Sequence, residues 1–146
     1  MDFTNVVVCL GRMAKMLDAQ GLPDKLPALA AQLLHLCGEE GRDFVAATSS
    51  WHSLTNLAWS CCRLESHEEL SSAARVLLQH VLARAAGLGV ETAPNRDLPV
   101  LVWAMAWARR VGLPPPQLEK QALASAVALH LPELELQGLA MMLWAF

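Results

Sequence analysis

Residues 98–105 read LPVLVWAM, and the apolar pattern of this stretch returns in three other places. The other copies are 3–10 (FTNVVVCL), 54–61 (LTNLAWSC) and 139–146 (LAMMLWAF). Positions i, i+3, i+4 and i+7 lie on one face of an α-helix, and we expect position i+5 to widen the face that neighbouring helices bury. Successive copies begin 51, 44 and 41 residues apart, which is within or near the repeat length of helix-pair solenoids.

A second helical pattern alternates with the first. Apolar residues with i, i+3, i+4, i+7 and i+8 spacing occur over 26–34 and again over 70–78. We call the helices of the first pattern A helices and those of the second pattern B helices. The alternation predicts an all-α solenoid of stacked antiparallel pairs, with about seven helices. Its approximate repeats are 3–48, 49–96, 97–134 and an incomplete 135–146, so we expect the array to be truncated at its C-terminal end.

Turn and capping residues predict where the helices end. The polar connection over 38–50 accounts for the long first interval. Ser66 and Glu69 have the spacing of a capping box for the second B helix, and Asp97 is placed to cap the third A helix, with Pro99 in its first turn.

Glycine and proline mark the remaining boundaries. We expect the first A helix to stop at 21–23 (GLP) and the second B helix to end near Ala86. The third B helix should run from about Gln117 to Leu131, and the last A helix should open near Glu135. Its apolar face is expected to be exposed, and consists of Leu139, Met142, Leu143 and Phe146.

Composition limits the class of protein. The chain has 146 residues, a hydrophobic content of 54% and a net charge of −3. The charge-free apolar runs between Lys25 and Glu39 and between Asp97 and Arg109 have 13 and 11 residues, fewer than the roughly 20 needed to span a membrane. We therefore expect no membrane segment, and no targeting segment is visible. The negative net charge does not favour strong nucleic-acid binding by the chain as a whole.

Two stretches resemble a known repeat family. Residues 131–146, LPELELQGLAMMLWAF, resemble the L-P-E…Q-x-L-(A/S)-N-x-x-W-A-(F/L) segment of octotricopeptide repeats. These are organellar RNA-binding helical repeats, similar to repeats of FAST kinase-like and RAP-domain proteins. Asn56 and Trp59 keep the N-x-x-W spacing, whereas Val100 replaces the Asn in the third copy, and the intervals are longer than those of the family.

The resemblance implies a function in RNA metabolism. It implies a segment that binds single-stranded organellar transcripts or rRNA in a chloroplast or mitochondrion, and that acts in their processing, stability or translation. Protein partners are expected at the exposed ends of the array. The rival interpretation is a HEAT- or armadillo-like scaffold for protein–protein interactions, because intervals of 41 and 44 residues also suit that class.

Six residues are the candidate RNA-binding residues. Two amides follow the starts of the first two copies by two residues, and two arginines follow them by nine; a pair of arginines ends the third A helix. A row of cations on successive A helices can hold an RNA backbone while the amides contact base edges. The alternative is that the arginines only interact with helix macrodipoles. The six residues are Asn5, Arg12, Asn56, Arg63, Arg109 and Arg110.

The remaining chemistry-bearing residues suggest no catalytic site. We interpret Trp59, Trp103 and Trp144 as packing wedges in the core, with base stacking as the alternative, and leave Trp107 open between core and surface. Adjacent cysteines point in different directions on a helix, so 61–62 is a poor metal site. No phosphate-binding loop or nucleophile elbow is present. We therefore expect no enzymatic activity, no cofactor and no metal.

Overall fold

A computed structural model describes residues 3–18, 25–39, 41–114 and 120–146. Within these ranges the chain is all-α, with no strand. It has eight α-helices: α1 (Phe3–Asp18), α2 (Leu26–Glu39), α3 (Gly41–Ala46), α4 (Trp51–Glu65), α5 (Glu68–Leu88), α6 (Leu98–Arg110), α7 (Lys120–His130) and α8 (Leu136–Ala145). Two 3₁₀ turns, Val90–Thr92 and Leu131–Glu133, precede α6 and α8. The stop expected at 21–23 and the start expected at Gln117 lie outside the described residues.

The helices pack as a solenoid-like array. The predicted A helices are α1, α4, α6 and α8, and each contacts the next in that order, which forms a layer that we call the A layer. On the other side, α2 and α3 pack against α5, and α5 packs against α4. The predicted all-α fold is therefore confirmed. Among the described residues, no helix is long and apolar enough to cross a membrane.

The two layers share one apolar core. Its largest fully buried side chains are mostly leucines that come from both patterns, because the i, i+3, i+4 and i+7 positions of each A helix face the B helices and the neighbouring A helices. They include Leu10, Leu34, Leu54, Leu57, Leu64, Leu70, Leu77, Leu78, Leu98 and Leu101. The core is densest around α4 and α5, which lie in the middle of the array.

The connection expected over 38–50 contains a short helix. Helix α3 spans Gly41–Ala46 and packs against α2 and α5. It forms because Val45 is buried at 1% exposure and Phe44 is half-buried against the core, which makes this segment amphipathic rather than wholly polar. The sequence prediction of a polar connection was wrong over these six residues.

The predicted capping box is also wrong. The residue that precedes α5 is His67, which makes no side-chain capping bond. The Ser66 hydroxyl instead donates to the carbonyl of Arg63, 2.7 Å away, at the C-terminal end of α4. The Ser-x-x-Glu capping box does not form because Ser66 lies one residue before the N-cap position of α5, which His67 occupies. Helix α4 does have a side-chain cap, since the Ser50 hydroxyl accepts from the Ser53 N–H at 3.3 Å.

The apolar face of α8 is only partly exposed. Its N-cap is Glu135, as expected. Leu143 and Phe146 are 81% and 86% exposed, but Met142 is buried and Leu139 is half-buried. The prediction of four exposed side chains is therefore wrong for Met142, because α8 lays that part of its face on α6.

Helix α5 extends two residues past its predicted end and stops at Gly89. This glycine has φ +83°, a conformation that side chains other than glycine rarely adopt. We expect Gly89→Ala to lower the free energy of unfolding by about 1 to 2 kcal/mol. Gly87→Ala is the matched control: it lies inside α5 with nothing within 4 Å of an added Cβ, so we expect a gain of about 0.5 to 1 kcal/mol. Urea denaturation measures both, and changes of the same sign would contradict this account.

Candidate nucleic-acid interface

The six predicted site residues are all exposed and all belong to the A layer. Asn5 and Arg12 lie seven residues apart on α1, and Asn56 and Arg63 are seven apart on α4. Because seven residues are close to two helical turns, each pair lies on one face of its helix. Arg109 and Arg110 lie in the last turn of α6. We call the exposed face of the A layer that contains the two Asn–Arg pairs of α1 and α4 the A face.

The tryptophans lie at the A face and not in the middle of the core. Trp59 and Trp103 are half-buried, and Trp144 is 47% exposed. Val8, at the equivalent position of α1, is 46% exposed. The interpretation of these residues as core wedges is therefore wrong for Trp144, and for Trp59 and Trp103 it holds only for the part of the ring that packs against the core.

Helix geometry explains this correction. At 3.6 residues per turn, position i+5 lies about 140° around the axis from position i, and only about 40° from position i+9. Position i+9 carries Arg12 in α1 and Arg63 in α4. The i+5 residue therefore shares a face with the candidate RNA-binding residues, and the sequence alone contained the signal that could have placed it there.

Three tryptophans form a contiguous cluster at one end of the A face. Trp103 and Trp107 of α6 have ring centroids 5.6 Å apart, and each lies 6.0 Å from the ring of Trp144 in α8. The Trp107 and Trp144 rings are stacked, with 23° between their planes. The Arg110 guanidinium lies 5.5 Å from the centroid of the Trp107 ring, a cation–π arrangement. We call these three rings the tryptophan cluster.

A buried carboxylate fixes the edge of the Trp107 ring. Glu65 is only 8% exposed and lies at the end of α4. The Trp107 indole N–H donates to its Oε2 at 3.2 Å. The Ser71 hydroxyl and two N–H groups of Arg75, both on α5, donate to its Oε1 at 3.2, 3.0 and 2.7 Å. The Glu65 carboxylate therefore joins three helices.

A second buried carboxylate lies at the other end of the same helix pair. Asp97 is 3% exposed and is the N-cap residue of α6, but its side chain makes no capping bond. Its Oδ1 accepts instead from the Thr55 hydroxyl of α4 at 2.8 Å, and its Oδ2 lies 3.4 Å from Arg96 Nε. The expected side-chain capping bond is therefore wrong, because the carboxylate bonds across the helix interface to the buried Thr55 hydroxyl instead.

The candidate amide Asn56 is held by its neighbour. Its Nδ2 lies 3.0 Å from His52 Nε2, one turn earlier on α4. His52 Nδ1 is 3.7 Å from Asp97 Oδ1. A carboxylate near Nδ1 favours the tautomer with its proton on that nitrogen, so Nε2 accepts from the Asn56 amide. One amide N–H is thereby occupied, and the Asn56 side chain as a whole remains exposed.

Charge is distributed unevenly over the described side chains. The carboxylates within α4 and at the start of α6 are buried, whereas the A helices expose five cations: Arg12, Lys15, Arg63, Arg109 and Arg110. The exposed carboxylates lie on α3, α5, the 3₁₀ turns and the N-cap of α8, and are Asp43, Glu68, Glu69, Glu91, Glu133 and Glu135. None of these six lies within α1, α4 or α6, so the described side chains of these three helices expose cations and no carboxylate, whereas Glu135 is exposed at the start of α8.

A cleft opens between the first turns of α6 and α8. Its volume is about 270 Å³, and its lining includes Arg96, Val100, Gln137 and Met141. At its rim the Asn95 amide donates to Glu133 at 3.2 Å. Val100 and Met141 of its lining lie one helical turn before Trp103 and Trp144, and two exposed carboxylates, Glu133 and Glu135, also line it.

The adjacent cysteines Cys61 and Cys62 are buried and unreactive. Burial raises the pKa of the Cys61 thiol, and burial followed by the Glu65 carboxylate raises the pKa of the Cys62 thiol. Thiols held in their protonated form are poor nucleophiles and poor metal ligands. In the part of the chain that the structure describes, no group of three or more His, Cys, Asp or Glu side chains is placed to hold a metal ion.

Comparisons of the chain with protein-family models, with curated proteins and with solved structures give no match. The resemblance of residues 54–60 and 131–146 to organellar repeats therefore stays a prediction from those residues.

The Thr55–Asp97 bond should contribute measurably to stability. Thr55→Val keeps the shape of the side chain but removes a donor from a buried carboxylate, so we expect a loss of about 1 to 3 kcal/mol in the free energy of unfolding. Ser60→Ala is the control, because this equally buried hydroxyl donates only to the carbonyl of Asn56 in its own helix. Thermal or urea unfolding should show a clearly smaller effect for Ser60→Ala. Equal losses of unfolding free energy in the two variants would show that the Thr55–Asp97 bond contributes no more than a bond within one helix.

The buried thiols predict a pH dependence of stability. Their folded-state pKa values are raised above those of the unfolded chain, so their contribution is complete below the ordinary thiol pKa and is lost as pH rises above about 8.5. We expect the double variant Cys61→Ala/Cys62→Ala to flatten the alkaline fall in the free energy of unfolding, measured by urea denaturation over a pH series. An unchanged alkaline slope would show that these thiols ionise in the folded state.

Proposed function

We propose that this chain is an RNA-binding helical-repeat segment that contacts single-stranded RNA through the A face. The observation that supports this most is the separation of charge. The A helices expose five cations, whereas Glu65 in α4 and Asp97 at the start of α6 are buried and bonded. Phosphate groups are bound by such cations without regard to base sequence.

The spacing of polar groups on the A face supports binding of a strand across several helices. Asn5 with Arg12, and Asn56 with Arg63, give α1 and α4 the same pair of functional groups in the same register. In this proposal the arginines contact phosphates and the amides contact the edges of unpaired bases, as side chains of other helical repeats do. The macrodipole role of the arginines is compatible with this, because a helix C-terminus and a phosphate can both lie near one guanidinium.

The biological setting that we propose rests on the resemblance to octotricopeptide repeats. In this proposal the protein acts in a chloroplast or mitochondrion, in the processing, stability or translation of transcripts. The mechanism is binding without covalent chemistry. Binding protects the single-stranded RNA segment or remodels its structure.

A protein-binding scaffold is the second candidate. The observation that favours it is the exposed apolar surface of α8, where Leu136, Leu143 and Phe146 are each more than 80% exposed. A partner helix can bury such a surface. This surface and the A face are distinguishable by mutation, since Leu143→Asp changes the first and Arg63→Glu changes the second.

Titration with labelled single-stranded RNA at several salt concentrations tests the proposed function. We expect binding that weakens with salt, because phosphate contacts release counterions. Arg63→Glu should weaken binding and reduce the log–log salt slope by at least about 0.7, the contribution of one contact to a single strand. Circular dichroism should show that the variant keeps its helix content.

The matched control is Arg42→Glu, which makes the same change of net charge on the exposed surface of α3, outside the A layer. It should leave the affinity and the salt slope close to those of the original chain. Equal effects of the two variants would mean that only net charge matters, and an absence of salt-dependent binding would overturn the proposal. Loss of a protein partner with Leu143→Asp, without any RNA binding, would favour the scaffold.

A further inference from the structure

The tryptophan cluster leaves an aromatic surface in contact with solvent. Trp144 touches the rings of both Trp103 and Trp107 and is still 47% exposed. Large aromatic side chains usually bury most of their area in a folded chain. An exposed indole that is supported by two further indoles is therefore a rigid aromatic surface rather than a single loose side chain.

A hydrogen bond to a buried carboxylate and the close packing of α8 on α6 fix the orientation of the cluster. The Trp107 N–H donates to the buried Glu65 carboxylate, so its ring cannot rotate without leaving that carboxylate short of a donor. Helix α8 approaches α6 closely, since a Cβ built on Gly138 would lie 3.1 Å from Pro99 Cγ. The stacked arrangement of Trp107 and Trp144 is thus prearranged, which lowers the entropic cost of binding a flat ligand.

A cation lies beside the aromatic surface. The Arg110 guanidinium is 5.5 Å from the Trp107 ring centroid, and Arg109 is exposed in the same helical turn. Helix α6 contains no acidic residue in its sequence. A flat aromatic surface next to one or two cations is complementary to a nucleotide, which has an uncharged base and a charged phosphate.

We propose that the tryptophan cluster is a base-stacking site for single-stranded RNA, in which an unpaired base stacks on Trp144 and the adjoining phosphate contacts Arg110. This rests on the proposed function and adds to it a base contact at Trp144, which is not one of the six residues predicted from sequence. Stacking is tolerant of base identity because every base has an aromatic face. The cluster therefore contributes affinity for unpaired bases and little sequence preference.

Short RNA with and without its bases tests this site. The probes are a fluorescently labelled single-stranded RNA and an RNA of equal length in which the central nucleotides are abasic, so that the phosphates are the same. We expect the original chain to bind the base-containing RNA about 5- to 150-fold more tightly, the range for stacking of one base on an aromatic side chain. RNA should also quench tryptophan fluorescence, and the abasic RNA should quench it less.

Variants of the exposed ring locate the effect. Trp144→Leu should bring the ratio of the two affinities close to one, and Trp144→Phe should keep part of it because a smaller aromatic ring still stacks. Arg110→Gln should weaken the binding of both RNAs and reduce the salt slope, leaving the ratio unchanged. Leu143→Ala is the matched control, since this neighbouring apolar side chain is 81% exposed and should not change the ratio.

The outcomes separate this inference from the proposed function. Salt-dependent binding of both RNAs with equal affinity would overturn the stacking site and leave the proposed function standing. The stacking site is also overturned if Trp144→Leu keeps the original ratio of the affinities for base-containing and abasic RNA. Absence of RNA binding by the original chain would overturn both. A proline-rich peptide that binds the original chain and not Trp144→Leu, with RNA binding unaffected, would identify the cluster as a peptide site and overturn the inference.

Discussion

Two buried carboxylates hold the middle of this array together. Glu65 and Asp97 lie at opposite ends of the contact between α4 and α6, and each accepts from a donor on the other helix. Burial of a carboxylate is costly unless its oxygens are bonded. Both bonds join residues that are 42 positions apart. A shift of α6 along α4 would break both bonds and remove the indole donor from Glu65 Oε2 and the hydroxyl donor from Asp97 Oδ1, so this pair of bonds favours one register of α6 against α4.

The candidate interface depends on that register. With α6 in place, the Trp107 ring faces Glu65 on one edge and the Trp103 and Trp144 rings on its other sides. At the other end of α4, the Asp97 carboxylate lies near His52, whose imidazole holds the amide of Asn56. The carboxylates that stabilise the helix pair therefore also orient an amide and an aromatic ring at the A face. Cations lie close to both, since Arg75 pairs with Glu65 and Arg96 lies beside Asp97.

The net charge of the whole chain did not predict the charge of the A face. A net charge of −3 is small. Among the described side chains, the exposed carboxylates lie on α3, α5, the 3₁₀ turns and the N-cap of α8, where α3 and α5 also carry arginines. The A helices expose Arg12, Arg63 and Arg110. Among the described side chains of α1, α4 and α6, no carboxylate is exposed. Because salt screens charges over about 8 to 10 Å, a bound strand would respond to the local surface more than to the total.

Local patterns determined the helices of this protein, and much of the candidate site with them. The i, i+3, i+4 and i+7 spacing placed α1, α4, α6 and α8 correctly, since periodicity depends only on residues close in sequence. The same spacing put Asn5 with Arg12, and Asn56 with Arg63, on exposed faces. Only the tertiary structure decided which carboxylates are buried, that Asp97 bonds to Thr55 instead of capping α6, and that Trp144 meets Trp103 and Trp107. Those outcomes depend on how one helix lies against another, which is set by contacts about 40 residues apart, where no local pattern gives a distance.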